Sequence, residues 1–262
     1  MPKYLEIETK DHIGRLTINR PEVMNALSPE VMREIMESMQ ALEADEDVQV
    51  IVITGRGRGF SSGGDKQFLQ SILNKQAFEI KDTVYTYFAG GIKAVKLCRK
   101  PTIAAVNGPA VAAGCELALA CDFRIAGESA TFIEAWVNLG LIAPLGGMLL
   151  LPRMIGLTRA TEMLMLGTPI EAVEAERIGL VNRVVGDGEL ESATNKFARQ
   201  LINGPRLAYT AIKEGLRRGM ESSLAAEWEH NVYTQAMLLG TEDFKESVRA
   251  LKEKRRPVYQ GK

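Results

Sequence analysis

The hydrophobic residues near the start of the chain alternate with polar residues. The segments 5–8 and 14–18 both have a period of two, which is typical of half-buried β-strands. Apolar segments rich in β-branched residues at 48–54 and 102–106, and a shorter one at 123–126, predict three more strands. The first half of the chain is therefore expected to contribute most of a sheet.

Helical patterns separate these strands and dominate the second half. Ser28–Glu30 has the composition of a helix start, with a hydroxyl cap, a proline in the first turn and an acidic residue. An apolar stripe with helical spacing follows as far as Leu42. Further helices are predicted at 76–99, 113–120, 145–154, 158–166, 170–177, 188–202, 205–218, 222–239 and 241–254. This order predicts an α/β core that carries a helical C-terminal region.

Composition narrows the class of protein. The chain has 262 residues, 46% hydrophobic and 25% charged, with a net charge of -1, so nothing favours nucleic acid or an anionic membrane as partner. The three cysteines lack the C-x-x-C spacing of a metal site, and their odd number fits a reducing compartment. No apolar segment reaches the length of a membrane span, and the N-terminus lacks a signal peptide pattern. We therefore expect a cytoplasmic protein without a metal.

Two glycine-rich segments, 59–65 and 107–116, are the most informative local feature. Each follows a predicted strand and leads into a predicted helix. Glycine lets the backbone approach a ligand closely, and the first N–H groups of a helix have no partner within the helix. The two segments thus predict a pair of N–H donors, from Gly64 and Ala113, that can stabilise an oxyanion.

The second segment also places Glu116 in a helix whose other residues are apolar on every side. A solvated carboxylate is not expected there, because the helix has no polar face. One alternative is a buried carboxylate paired with an arginine or a lysine. The functional interpretation is a general acid or base whose pKa is raised by burial.

Other sites that glycines and histidines suggest are poorly supported. The glycine run at 55–59 follows a strand, but its spacing and the absence of a later acidic residue exclude a dinucleotide fingerprint. The only two histidines, His12 and His230, are far apart and distant from the glycine segments. A Ser–His or Cys–His triad is therefore not expected.

Seven segments together resemble the crotonase (enoyl-CoA hydratase/isomerase) family, nearly from end to end. They are 19–21, 25–27, 60–65, 100–108, 114–118, 175–181 and 253–257. The resemblance implies a spiral of ββα repeats with a C-terminal helical region used in trimerisation. We place the core at residues 1–195 and the helical region at 196–262. The implied assembly is a homotrimer, or a hexamer made of two trimers.

The resemblance also implies an acyl-CoA thioester as substrate, with its carbonyl between the amides of Gly64 and Ala113. Coenzyme A enters as part of the substrate, so no separate cofactor is expected. Lys254, in a basic C-terminal run, is expected to meet the CoA phosphates, although such a run is often only a solvated helix end. The rest of the coenzyme is expected along Met24, Ala26, Leu27, Ser62, Gly63, Asp65 and Lys66.

The chain departs from the pattern of the family's hydratases at one position. These enzymes are expected to use two glutamates, and Glu116 matches the first, but the second falls on Trp136, which cannot transfer protons. An aspartate that some relatives carry further along falls on Pro144. If the segment is extended, Glu134 lies on the same face as Trp136 and is the candidate for proton transfer. The alternative is that Glu134 is a structural or an exposed carboxylate. Trp136 is expected either as a flat wall for a cyclic or aromatic acyl group or as core packing.

We rank hydration of a 2-enoyl-CoA first, through a thioester enolate. Isomerisation by a single base comes second, and hydrolysis of a cyclic β-keto acyl-CoA third. A non-catalytic acyl-CoA-binding subunit is the alternative outside enzymes. The buried Glu116 argues against it, because an unneeded buried carboxylate destabilises a fold.

Overall fold

The computed structural model describes residues 2–262 and contains two β-sheets. The larger sheet has six strands in the order β1-β2-β3-β4-β6-β9, and only β1 runs antiparallel to its neighbour. The smaller sheet has the order β5-β7-β8. The strands are β1 (Leu5–Lys10), β2 (Ile13–Ile18), β3 (Val50–Gly55), β4 (Thr102–Val106), β5 (Ala110–Val111), β6 (Phe123–Gly127), β7 (Thr131–Ile133), β8 (Ile170–Glu171) and β9 (Arg183–Val185).

Twelve α-helices connect and cover the sheets within the described residues. They are α1 (Pro29–Ala44), α2 (Lys66–Ser71), α3 (Ala77–Thr83), α4 (Gly90–Lys96), α5 (Ala113–Ala120), α6 (Gly147–Ile155), α7 (Leu157–Leu166), α8 (Ala172–Arg177), α9 (Leu190–Ile202), α10 (Arg206–Gly219), α11 (Leu224–Leu239) and α12 (Glu242–Glu253). Short 3₁₀ turns occur at Pro21–Val23, Ala135–Leu139 and Asp187–Glu189. A π-helical stretch, Val84–Ala89, joins α3 to α4.

The central strands of the six-stranded sheet are buried on both faces, which explains why β3 is apolar almost throughout. Ile51 and Ile53 point into the main core, together with the apolar face of α1 and all of α5. Val50 and Val52 point to the opposite face, where α9 covers the sheet. This alternation follows from the period of two in a strand, and it packs one face of β3 into the core that contains α5.

The structure confirms the predicted α/β core with a helical C-terminal region. Two details of the prediction were wrong. Residues 170–177 begin with the short strand β8, and the predicted helix at 76–99 is interrupted by its π-helical stretch. The condition set for Glu134 and Trp136 to share one face of a strand is not met, because the chain turns into a 3₁₀ helix at Ala135. The boundary at residue 195 stays a prediction and lies inside α9, which packs on the sheet.

The C-terminal helices leave a large apolar surface exposed. Helix α11 has no buried residue, and Trp228, Val232, Tyr233 and Met237 on it are 66–77% exposed. Apolar surface of this kind usually marks a contact with another protein. None of the helices in residues 2–262 has the length and hydropathy needed to cross a membrane.

Candidate functional site

The two glycine-rich segments lie side by side and are joined by backbone hydrogen bonds. The N–H groups of Phe60 and Ser61 both donate to the carbonyl of Pro109, each at 3.1 Å. The N–H of Val111 donates in return to the carbonyl of Ser61 at 2.9 Å. This parallel bridge between Ser61 and Ala110 places the ends of β3 and β4 next to each other at the site.

Glycine is required where the two segments touch. A Cβ atom on Gly114 would lie 2.6 Å from the carbonyl oxygen of Ser61 and 2.7 Å from its Cβ. Gly63 has a φ of +85°, and a Cβ there would lie 2.6 Å from the carbonyl oxygen of Val111. Larger residues at either position would push the two segments apart.

The N–H groups of Gly64 and Ala113, the two predicted donors, have no acceptor within residues 2–262. Ala113 is the first residue of α5, so its N–H has no partner in the helix. The residue before it, Ala112, has φ 47° and ψ −115°, a conformation that costs a non-glycine residue free energy. The hydrogen bond from the Ala112 N–H to the carbonyl of Ile133, at 2.7 Å, holds that turn in place.

Glu116 is 1% exposed, and only one of its two carboxyl oxygens is engaged. Its Oε1 accepts hydrogen bonds from the N–H groups of Leu145 and Gly147, both at 2.8 Å. Its Oε2 has no hydrogen-bond partner among the described residues. The alternative that Glu116 forms a buried ion pair is wrong, because none of the ion pairs within residues 2–262 includes Glu116.

The electrostatics of Glu116 follow from this setting. Burial raises the pKa of Glu116 to about 7. The N–H donors of Gly147 and Leu145 and the indole of Trp136 favour the ionised form, so they offset part of this increase. The donors lie at the start of α6, where glycine gives close approach: a Cβ on Gly147 would be 3.1 Å from Glu116 Oε1. A carboxyl group with this pKa can exchange protons near neutral pH.

Glu134 is 0% exposed, so it is not a surface carboxylate. It precedes the 3₁₀ helix Ala135–Leu139, and neither of its oxygens has a hydrogen-bond partner in the described chain. Burial, followed by the charge of Glu116, raises its pKa to about 9, while Cys115 and Trp136 lower it by a smaller amount. Glu134 is therefore an uncharged carboxylic acid at neutral pH.

The ring of Trp136 packs against the main core, which is one of the two roles expected of it, and also lines a cavity of about 430 Å³. Contact between this ring and an acyl group stays a prediction. Its indole N–H is buried beside the two glutamates but forms no hydrogen bond of normal geometry.

The cavity that Trp136 lines reaches the first glycine segment. Gly64 and Leu145 are among its lining residues, and side chains from α2, α3 and the π-helical stretch form much of its wall. Lys81 is the only charged residue among those that line it. The remaining lining residues are Phe68, Leu69, Ile72, Ala77, Ile80, Val84, Phe88, Leu141, Ile142 and Pro144. An apolar chain fits this cavity better than a polar one.

The segments expected along the coenzyme also meet in space. The N–H of Leu27 donates to the carbonyl of Gly63 at 2.7 Å, and the N–H of Ser62 donates to the carbonyl of Met24 at 2.8 Å. Ala26 is 6% exposed and lies within the same loop. The loop 24–27 thus forms one wall beside the first glycine segment.

The charged residues of this group differ in their surroundings. Asp65 is 6% exposed, forms an ion pair with Arg20 at 2.8 Å and caps α2 through the N–H of Gln67. Lys66 is exposed at the first turn of α2. Lys254 ends α12 with a φ of 54°, and no hydrogen bond or ion pair within residues 2–262 joins it to the other site residues. Their roles toward a substrate stay predictions.

Sequence reasoning missed three residues that shape the site through backbone contacts. Leu145 and Gly147 hold Glu116, and the glycine pair after Pro144 was the only signal for them. The side chain of Asn25 donates to the carbonyls of Gly59 and Arg56, at 2.8 and 2.9 Å, and so fixes the first glycine segment.

Unpaired N–H groups, a buried carboxyl with a pKa near neutrality and a nearby apolar cavity are features of enzymes that stabilise an oxyanion while moving protons. The family model described as enoyl-CoA hydratase/isomerase matches residues 8–262. The chain belongs to this enoyl-CoA hydratase/isomerase family.

Individual relatives agree with this assignment. The chain is 35% identical to a crotonyl-CoA hydratase from Syntrophomonas wolfei over 98% of this chain and 97% of the relative. It is also 35% identical to a trans-2-decenoyl-[acyl-carrier-protein] isomerase from Streptococcus mutans over 95% of each chain.

Solved structures show the same fold. An enoyl-CoA hydratase from Polaromonas sp. JS666 superimposes with a TM-score of 0.93 at 32% identity, over 98% of this chain and 99% of that one. An enoyl-CoA hydratase from Bacillus anthracis gives 0.92 at 30% identity, over 99% of this chain and 100% of that one. The predicted crotonase-like fold is confirmed.

The raised pKa of Glu134 makes stability depend on pH. The folded protein holds this proton between about pH 4.5 and 9 and the unfolded chain does not, so the free energy of unfolding falls as pH rises through that range. This contribution amounts to a slope of about 1.4 kcal/mol per pH unit in the free energy of unfolding, and we expect Glu134→Gln to remove it. Urea unfolding between pH 5.5 and 8.5 measures the slope. Glu128→Gln, at an exposed position, is the control, and equal slopes in all three proteins would contradict the assignment.

Proposed function

We propose that the protein adds water across the conjugated double bond of a 2-enoyl-CoA thioester. The observation that carries this proposal is the free, buried Oε2 of Glu116, together with the N–H groups of Gly64 and Ala113, which have no acceptor within residues 2–262. The membership of the enoyl-CoA hydratase/isomerase family supports the substrate class.

In the proposed reaction the thioester oxygen accepts hydrogen bonds from the N–H groups of Gly64 and Ala113. Glu116 takes a proton from a water molecule while the water oxygen bonds to the β-carbon. The electron pair of the double bond moves toward the thioester oxygen and forms an enolate. Each N–H donor stabilises that charge by roughly 3–4 kcal/mol. Glu116 then returns the proton to the α-carbon, and the carboxylate is restored.

Isomerisation is the second candidate. Glu116 alone can remove a proton next to the double bond and return it at another carbon. The free Oε2 serves one reaction as well as the other, and the Streptococcus mutans relative is named as an isomerase. Product analysis separates the two reactions.

The first test follows crotonyl-CoA and 2-octenoyl-CoA in deuterated water. Hydration removes the ultraviolet absorbance of the conjugated thioester and adds the mass of one D₂O, whereas isomerisation adds no water. We expect Glu116→Gln to lower kcat/KM by about 10²–10⁴-fold, because an amide cannot take the proton. Its carbonyl can still accept from Leu145 and Gly147, so the fold should be kept. Glu128→Gln is the control. Unchanged turnover in Glu116→Gln would reject Glu116 as the base.

We propose that the acyl group of the substrate is long or bulky. The cavity of about 430 Å³ lies within the usual range for ligand sites and is far larger than a four-carbon chain needs. Its wall includes Phe68, Phe88 and Trp136, which favour apolar and flat groups.

Acyl length therefore has a predicted effect. We expect kcat/KM for 2-octenoyl-CoA to exceed that for crotonyl-CoA by about tenfold or more, since each buried methylene adds roughly 0.8 kcal/mol. Ile80→Trp should fill the cavity and remove the advantage of the longer chain. Phe78→Trp is the matched control on the same helix, since Phe78 is 66% exposed and lies outside the cavity. A preference for crotonyl-CoA in the native protein would contradict the proposal.

We also propose a homotrimer, or a hexamer of two trimers, as the working assembly. The exposed apolar residues of α11 support this proposal, and a second exposed apolar group, which includes Leu157 and Met165, lies on α7. Burying both would stabilise an assembly. Sedimentation equilibrium is expected to give three or six times the mass of the chain, and a monomer at micromolar concentration would reject the proposal.

A further inference from the structure

Four buried polar atoms that lack a hydrogen-bond partner lie together at the site. Within residues 2–262, five buried side-chain atoms are unpaired, and four of them belong to Glu116, Glu134 and Trp136. The fifth belongs to Thr194 on α9. Buried polar groups in native proteins almost always find partners, so a concentration of unpaired atoms points to hydrogen bonding among these side chains or with an enclosed water.

The backbone explains why these side chains meet. Strand β5 pairs with β7 in a register that sets Val111 opposite Ile133, and the Ala112 N–H bonds to the Ile133 carbonyl. Glu134 is the next residue after Ile133, so it lies beside the start of α5. Glu116 is in the first turn of that helix.

Two titratable groups influence the pKa of Glu134, and they are Glu116 and Cys115 on α5. The indole of Trp136, on the same segment as Glu134, also influences it. Burial raises the pKa of the Cys115 thiol well above its usual value, so the thiol carries no charge near neutral pH. No lysine or arginine within the described chain forms an ion pair with either glutamate. Only one of the two carboxyl groups can then be ionised without a large cost.

We propose that Glu134 stays protonated and donates a hydrogen bond toward the free Oε2 of Glu116, and so sets the pH range in which Glu116 acts as a base. The inference rests on the proposed function, in which Glu116 is that base. Glu134 acts on Glu116 and not on the substrate, so it is a positioning residue. Trp136 occupies the position of the expected second glutamate, and its indole lies beside both carboxyl groups.

The pKa values agree with this division of roles. Glu134 has the higher value, about 9, and so keeps the proton when Glu116, at about 7, loses its own. A hydrogen bond from a neutral acid to the carboxylate favours the ionised form of Glu116.

The kinetic test compares two substitutions at Glu134 with 2-octenoyl-CoA. Glu134→Gln keeps a hydrogen-bond donor, whereas Glu134→Leu removes it and keeps a similar volume. We expect the acidic limb of the kcat/KM profile to move upward by about one to two pH units in Glu134→Leu, which is the effect of losing one hydrogen bond to a charged group. In Glu134→Gln the limb should move by less than about half a unit, and the alkaline limb near pH 9 should disappear.

Three results would overturn the proposal. An unshifted acidic limb in Glu134→Leu would show that Glu134 does not act on Glu116. An alkaline limb that persists in Glu134→Gln would show that this limb does not belong to Glu134. A loss of 100-fold or more in Glu134→Gln would show that Glu134 itself delivers a proton to the substrate. Glu128→Gln should match the native profile.

A second measurement needs no substrate, so it is independent of the proposed reaction and of the folding of Glu134→Leu. The chain has two tryptophans, and Trp228→Phe leaves Trp136 as the reporter. We expect its fluorescence to titrate near pH 7 and near pH 9. The upper step should be absent with Glu134→Gln and should move to lower pH with Glu116→Gln, because the charge of Glu116 is gone. An upper step unchanged by Glu116→Gln would overturn the coupling even if hydration is confirmed.

Discussion

The arrangement of the site depends on the backbone bridge between the two glycine-rich segments. The carbonyls of Pro109 and Ser61 accept hydrogen bonds across it, at 2.9–3.1 Å, and the absence of a side chain on Gly114 allows the two chains to come this close. Every other element of the site is placed relative to this contact. Helix α5 begins just after it, and the loop 24–27 pairs with the segment that precedes α2.

The second constraint is the cost of burying a carboxyl group in an apolar helix. The protein offsets part of that cost with two backbone N–H groups on Oε1 of Glu116, and these come from a turn that glycines make possible. The other oxygen is left without a partner. A second local cost lies at Ala112, which holds an unfavourable conformation directly before the first N–H of α5.

The sequence predicted the fold class, and it pointed to the glycine segments and Glu116 that the structure brings together, because these features depend on local patterns. Period-two strands, the cap at Ser28 and the glycines before α5 all act within a few residues. The state of Glu134 could not be predicted in this way, because its burial depends on the pairing of β5 with β7 and on the turn after Ile133. The amides of Leu145 and Gly147 were missed for the same reason, since any residue can supply an N–H. The shape of the cavity likewise depends on the packing of α2 and α3 against a distant segment.

The wall of the cavity comes largely from a part of the chain that contributes nothing to the hydrogen bonds of Glu116. Residues 68–88 supply most of its apolar side chains, while α5 and the turn before α6 supply Glu116 and the N–H groups that hold it. Selection can therefore act on these two parts separately. Substitutions in α2, α3 and the π-helical stretch can change the shape of the cavity and leave the surroundings of Glu116 intact, and separation of this kind lets one scaffold host enzymes with different substrates.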